Sequence, residues 1–141
     1  MAKTVITYGT FDLFHYGHAR LLARLSGLGD KLIVAVSSDD FNEAKGKTAF
    51  IPYEQRAEIV SQIKGVSLVI PENSWAQKEL DIKKHNVDVF AIGDDWAGEF
   101  DHLKQHCDVL YLPRTPNVSS TDIRERMAAE SVINAAQVLS Q

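Results

Sequence analysis

The sequence predicts an α/β domain: a doubly wound sheet of about five parallel strands with helices on both faces. Three observations carry this expectation. Short apolar, β-rich runs recur along the chain, and several are continuous rather than alternating, as in strands covered on both faces. Helix-spaced apolar stripes fall between them, the alternation that builds a parallel sheet. The length of 141 residues suits one domain, 1–141, with one core.

In chain order, "TVITY" (Thr4 to Tyr8) reads as the first strand. Ala19, Leu21, Leu22 and Leu25 then form an apolar stripe at helical spacing. "LIVAVS" (Leu32 to Ser37) is the second strand. Pro52 in "PYEQR" opens a helix carrying Ile59, Val60 and Ile63, since proline suits the first turn. "VSLVI" (Val66 to Ile70), "VDVFAI" (Val87 to Ile92) and "VLYL" (Val109 to Leu112) complete the strands. Val132, Ala135, Ala136 and Leu139 predict a C-terminal helix within 131–141. Crossovers between parallel strands are expected to be right-handed. No repeat, low-complexity segment or linker is visible.

Composition narrows the function classes. Apolar content of 45% and charged content of 24% are those of a soluble globular protein. A formal net charge of −4 argues against coating nucleic acid or an anionic membrane, which calls for a basic excess. It leaves room for a small polyanion held by a local cluster of cations. The single cysteine, Cys107, excludes an intrachain disulfide and favours a reducing, intracellular home; the cytoplasm is expected. Cys107 begins an apolar run and reads as buried and inert. "LIVAV" (Leu32 to Val36), the longest purely apolar stretch, is far too short to span a membrane, so no membrane insertion is expected.

Open α/β sheets bind ligands beyond the C-terminal strand ends, near the point where strand order reverses. After the first strand comes "GTFDLFHYGH". Gly9 allows a tight turn, His15 falls where a helix should begin, and His18 lies one turn further. Free backbone N–H groups and the helix dipole favour an anion there, and Gly17 leaves room for its approach. Spacing alone leaves three readings open: a phosphate site, incidental histidines, or part of a zinc site that would need further ligands. Phe11, Leu13 and Phe14 read as packing residues. After the second strand, Lys45 and Lys47 flank Gly46, either a solvated loop or a phosphate grip. After the fourth, "GDDW" places Asp94 and Asp95 to accept from a nucleoside or to cap the next helix. After the fifth, "PRTPNVSSTDIRERM" offers Arg114, then Ser119, Ser120 and Thr121 at a helix start near Asp122, with Arg124 inside it. "HLKQH" (His102 to His106) lacks the glutamate of a metalloprotease motif and reads as a solvated helix face.

In this order and spacing, "GTFDLFHYGH", "GDDW" and "RTPNVSSTDI" closely resemble the glycerol-3-phosphate cytidylyltransferases, within the wider HxGH nucleotidyltransferase superfamily. The resemblance runs from about Val5 to about Met127 and extends to "DVFAIGDDW" and "NSWAQK". It implies a Rossmann-like fold and a direct transfer: a phosphate oxygen of sn-glycerol 3-phosphate attacks the α-phosphorus of CTP, giving CDP-glycerol and pyrophosphate. It further implies Mg2+ carried mainly by the CTP phosphates, no covalent enzyme intermediate, a homodimer, and a product destined for teichoic acid or a capsular polymer. Residue by residue, it places Thr10 and Phe11 along the CTP site. His15 and His18 would hold the triphosphate, with Lys47 on CTP and Asp95 on the nucleoside. Arg114, Thr115, Ser119, Ser120 and Thr121 would wrap the nucleotide and its outer phosphates. Lys45 and Lys78 would bind glycerol phosphate, with Asp12 and Trp75 nearby; His15, His18, Lys45 and Arg114 form the expected catalytic set.

The chain departs from the family pattern at three places. Ser67 stands where an acid is common, Lys64 where an arginine is, and Tyr16 where a tryptophan is. Lysine keeps the charge but loses the bidentate fork. Two other readings stand beside the main one: a relative using ethanolamine, choline or ribitol phosphate or ATP, and a nucleotide-binding module without catalysis.

Overall fold

Strand β1 (Thr4–Gly9) runs through the middle of a five-stranded sheet. The computed structural model describes residues 2–114, 123, 125 and 127–129, and the expected C-terminal helix of 131–141 lies outside them. After β1 come α1 (Tyr16–Ser26), β2 (Lys31–Ser37), α2 (Asp39–Ala44), α3 (Tyr53–Ser61) and β3 (Leu68–Glu72). Then follow α4 (Gln77–Lys84), β4 (Val89–Gly93), 3-10 turns at Asp94–Trp96 and Asp101–Gln105, and β5 (Asp108–Leu112). The sheet order is β3-β2-β1-β4-β5 and every pairing is parallel. Strand order therefore reverses between β1 and β4, a Rossmann-like α/β arrangement.

Alternation along each strand divides the core. Val5, Leu32, Val34, Val36, Val89 and Ala91 face Leu22 and Leu25 of α1 and Val60 of α3. Ile6, Tyr8, Ile33, Ala35, Phe90 and Ile92 face Ile82 of α4 together with Phe100 and Leu103. With both faces covered, the three central strands need apolar residues at nearly every position, which is why they read as continuous runs. The edge strands are wetter: Leu68 of β3 and Leu110 of β5 are both exposed.

The boundary differences have local causes. β3 starts two residues later than "VSLVI" suggests and runs through Pro71, which an edge strand tolerates because one of its sides needs no ladder donor. Gly65, at φ +96°, turns the chain, and Ser67 is spent on a backbone link, with its N–H on the Leu32 carbonyl and its Oγ accepting from Leu32 N–H. β4 starts at Val89 because Asp88 is engaged in a turn, its carboxylate accepting from Thr4 N–H at 2.8 Å. Helix α2 lies in the stretch that reads as loop; Ser38 caps it through Phe41 N–H, and its carboxylates Asp39 and Asp40 favour the positive end of the helix.

One asymmetry in the sheet positions the site. β1 and β2 pair along six residues, from Thr4–Lys31 to Gly9–Val36. β1 and β4 pair only at Val5–Val89 and Ile6–Phe90. Beyond those two pairs the strands diverge, and a crevice opens at their C-terminal ends.

Candidate active site

The crevice is a cleft of about 590 Å³. Its floor is the turn after β1. A Cβ at Gly9 would sit 2.8 Å from the Phe11 ring, so only glycine lets the chain fold back this tightly. Phe11 and Leu13 adopt left-handed backbone, φ +54° and +48°, a conformation costly for such side chains and concentrated at functional sites. The turn delivers the chain to the start of α1.

There the two histidines form a reciprocal cap. His15 is the N-cap residue, and its Nδ1 accepts from Gly17 N–H at 3.0 Å. His18 Nδ1 accepts from His15 N–H at 3.2 Å, the part that glutamate or glutamine plays in an ordinary capping box. The rings stack at 3.9 Å, with Phe11 and Phe14 on His18 at 5.4 and 5.3 Å. Both Nδ1 atoms are acceptors, so each neutral ring carries its proton on Nε2. Neither Nε2 bonds to another described residue, which leaves two donors at the cleft. Burial lowers the pKa of His18 to about 4, aided by His15 and opposed by Asp12. Burial, then the Arg114 charge, lowers that of His15. At neutral pH the pair is uncharged, so its two Nε2–H groups can face an anion without the rings repelling each other.

Other expected residues gather around them. Thr10, Phe11, Asp12, Lys47, Asp95 and Arg114 all line the cleft. Arg114 reaches Asp95 at 3.6 Å across the mouth, an exposed pair. Asp12 is buried, and its carboxylate accepts from the N–H groups of Phe50 and Ile51 at 2.8 and 3.0 Å. It thus fastens the loop that carries Lys47. Thr115, Ser119, Ser120 and Thr121, like Asp122 and Arg124, lie outside the described residues.

Lys45, Lys78 and Trp75 form a second cluster behind the cleft wall. Lys78 is buried, pairs with Glu72 at 2.5 Å, and has the rings of Tyr8, Trp75 and Phe100 within 4.8 to 5.0 Å. Half-buried Lys45 donates to Ser37 Oγ at 3.3 Å and lies over the Phe41 ring. Tyr8 and Trp96 are shared walls: both line the cleft, and Trp96 meets Trp75 at 5.9 Å.

The cytidylyltransferase-like family model matches residues 6–126, which takes in both clusters. The chain belongs to that family. It is 56% identical to a glycerol-3-phosphate cytidylyltransferase of Bacillus spizizenii over 127 residues, 90% of this chain and 98% of that one. It is 54% identical to one of Staphylococcus aureus over 125 residues, 89% and 95% of the two chains. A mouse ethanolamine-phosphate cytidylyltransferase is more distant, 32% identical over 126 residues, 84% of this chain and 31% of that one. In fold, the chain matches a lipopolysaccharide core biosynthesis protein from Thermoplasma volcanium at a TM-score of 0.73 and 21% identity, covering 82% of this chain and 99% of that one.

Sequence reasoning missed three residues of this cytidylyltransferase-like site. Arg56 is fully buried, yet its guanidinium donates to the carbonyls of Ile51, Thr10 and Ser37 at 2.7, 2.8 and 2.8 Å and to Asp39 at 2.7 Å. One side chain ties the ends of β1 and β2 to the lysine loop. Backbone donation from Tyr53 holds the Asp39 carboxyl below its usual range, with Arg56 adding to that against some desolvation. Arg56 stands four residues before buried Val60 on one helix face, a position that could have flagged it. Asn42 is buried at the cleft wall, accepts from Thr10 Oγ1 at 3.4 Å, and its Nδ2 has no partner among the described residues. Its signal was hidden because α2 reads as loop. The third is Glu72, the ion-pair partner of Lys78.

Proposed function

We propose that the chain transfers the cytidylyl group of CTP to sn-glycerol 3-phosphate, giving CDP-glycerol and pyrophosphate. The observation that carries this is 54–56% identity, across nearly the full length of both partners, to glycerol-3-phosphate cytidylyltransferases. An acceptor phosphate oxygen attacks the α-phosphorus, the bond to the bridging oxygen of the β-phosphate breaks, and pyrophosphate leaves. The nucleophile is already an anion, so no side chain must take a proton from it. What the reaction needs is positioning and charge stabilisation.

The residues present suit those needs. The Nε2–H groups of His15 and His18 donate to the phosphates of CTP, Lys47 and Arg114 add charge, and Asp95 accepts from the nucleoside. Lys45 and Lys78 take the phosphate of the acceptor. Among the described residues no three His, Cys, Asp or Glu side chains gather as a metal site. In this reading Mg2+ enters on the triphosphate of the substrate, where it would neutralise charge. The proposal includes a homodimer working in the cytoplasm, with CDP-glycerol passing to teichoic-acid or capsular-polymer synthesis. Among the described residues no helix is long and apolar enough to cross a membrane.

The test is pyrophosphate release with a panel of nucleotides and alcohol phosphates in Mg2+. Turnover is expected with CTP and glycerol 3-phosphate. Turnover only with ethanolamine, choline or ribitol phosphate would replace the acceptor, preference for ATP would replace the donor, and no turnover with any pair would leave a binding module.

A further inference from the structure

Glu72 lies at the end of β3, in a place where a carboxylate is costly. It is buried, and the groups nearest it are those that would receive a phosphate. Its Oε2 meets Lys78 Nζ at 2.5 Å. Its Oε1 lies 3.5 Å from Ser37 Oγ, the hydroxyl to which Lys45 Nζ donates at 3.3 Å. Lys78, Glu72, Ser37 and Lys45 thus form one polar chain, buried at Lys78 and half-buried at Lys45. A carboxylate beside an anion site repels its ligand, so its presence must serve the cations.

We propose that Glu72 is a positioning residue: the shared counter-ion that keeps Lys45 charged and holds Lys78 in place beside it for the phosphate of the acceptor. The inference rests on the functional reading above, in which these lysines take that phosphate. A charge taken out of water is costly unless an opposite charge compensates it. The groups facing the chain are Lys78, Tyr8, whose hydroxyl donates to Asp81 at 2.6 Å, and on the Lys45 side Lys47 and Arg56. Burial lowers the pKa of Lys45, Glu72 raises it, and Lys47, Lys78 and Arg56 lower it further. Among the described residues Glu72 is the one anion acting on Lys45 against those cations. The Asp81 carboxylate does not take this part, being bonded to Tyr8 and to Gln77 at 3.0 Å.

The experiment compares wild type, Glu72→Gln and Glu72→Asp at pH 7 and pH 9. It measures KM for each substrate and calorimetric binding of glycerol 3-phosphate, with a thermal melt as the folding control. An opposite charge this close shifts a pKa by about 1 to 3 units. With Glu72→Gln, KM and Kd for glycerol 3-phosphate should stay within about threefold of wild type at pH 7 and rise more at pH 9, by up to about tenfold, because the alkaline limb begins at a lower pH. KM for CTP should not change at either pH, and Glu72→Asp should return most of the limb. A loss of equal size at both pH values, or one shared by CTP, overturns the proposal and leaves a purely structural ion pair. Should Glu72→Gln not fold, Glu72→Met, equally neutral and of similar length, carries the test, and an alkaline limb unmoved by it is equally fatal. If wild type binds glycerol 3-phosphate but makes no CDP-glycerol, the functional reading fails while calorimetry still decides the role of Glu72. If it binds none, both fall.

Discussion

The two halves of the candidate site are equipped for anions in opposite ways. The half at the start of α1 uses neutral donors, two imidazoles locked by backbone N–H groups at an open cleft. The half between β3 and α4 offers ammonium groups, one of them buried and paired with a carboxylate. A neutral donor gives direction and strengthens where charge develops, which suits the reacting phosphorus. A buried cation binds an anion strongly but indifferently to the stage of reaction, which suits holding an acceptor in place. The division suggests that one half sets the rate and the other sets occupancy.

The largest effects should come from the histidine half. Replacing His15 or His18 by alanine should lower kcat by about 100- to 1,000-fold in a steady-state assay, the usual cost of one lost transition-state donor. Alanine also removes half of the helix cap, at about 1 kcal/mol of stability in a denaturant melt. His15→Asn and His18→Gln separate the two roles, because those residues are good caps without being imidazoles. They should recover most of the stability and little of the rate. Recovery of rate as well would show that the histidines matter only as caps.

Arg56 comes next, because it serves both halves. Arg56→Ala leaves three carbonyls and the Asp39 carboxylate without their donor. A loss of about 3 kcal/mol or more in unfolding free energy is expected by chemical denaturation. KM for both substrates should rise in whatever fraction stays folded. An effect on one substrate alone would mean that the halves are less tied together than the geometry indicates.

The pH response is smaller and has a definite sign. His18 titrates near pH 4 in the fold and near 6.5 when unfolded, so the unfolded chain binds more protons between those values. Its contribution is fully present above about pH 6.5 and is lost as pH falls toward 4. Thermal melts should therefore show wild type losing more stability than His18→Gln across that window; parallel curves would contradict the buried, neutral state. The smallest effect belongs to the exposed Arg114–Asp95 pair. Asp95→Ala should change stability by less than about 1 kcal/mol, as exposed ion pairs usually do. It should still weaken nucleotide binding, measurable by calorimetry.

Much of this was legible in the sequence, for reasons visible in particular residues. The three central strands announce themselves because both their faces are buried. The histidine pair is legible because its two positions stand at a helix start after a strand. Spacing does not show the lysine half, where Lys45, Lys78 and Trp75 enter as a group only through the resemblance: Glu72 sits beyond the predicted end of its strand and Lys78 on a helix with a weak apolar stripe. Spacing likewise shows nothing of the role of Arg56, since an arginine on a helix is ordinarily a surface residue and only its carbonyl partners, drawn from three distant segments, keep it inside. Spacing alone reads Lys45 beside Lys47 as one loop feature, and only the resemblance separates their roles; the fold sends Lys47 to the cleft and Lys45 to the polar chain of Ser37 and Glu72.

The chain has only two tryptophans, and both lie on the boundary between the halves. Trp96 walls the cleft while Trp75 stands over Lys78, and the two indoles meet at 5.9 Å. The molecule therefore carries its own optical reporter: any rearrangement at that boundary alters the emission of an unlabelled sample, with no other indole to obscure it. Titrating CTP and glycerol 3-phosphate singly and together, and following that emission in time, gives the order in which the halves fill.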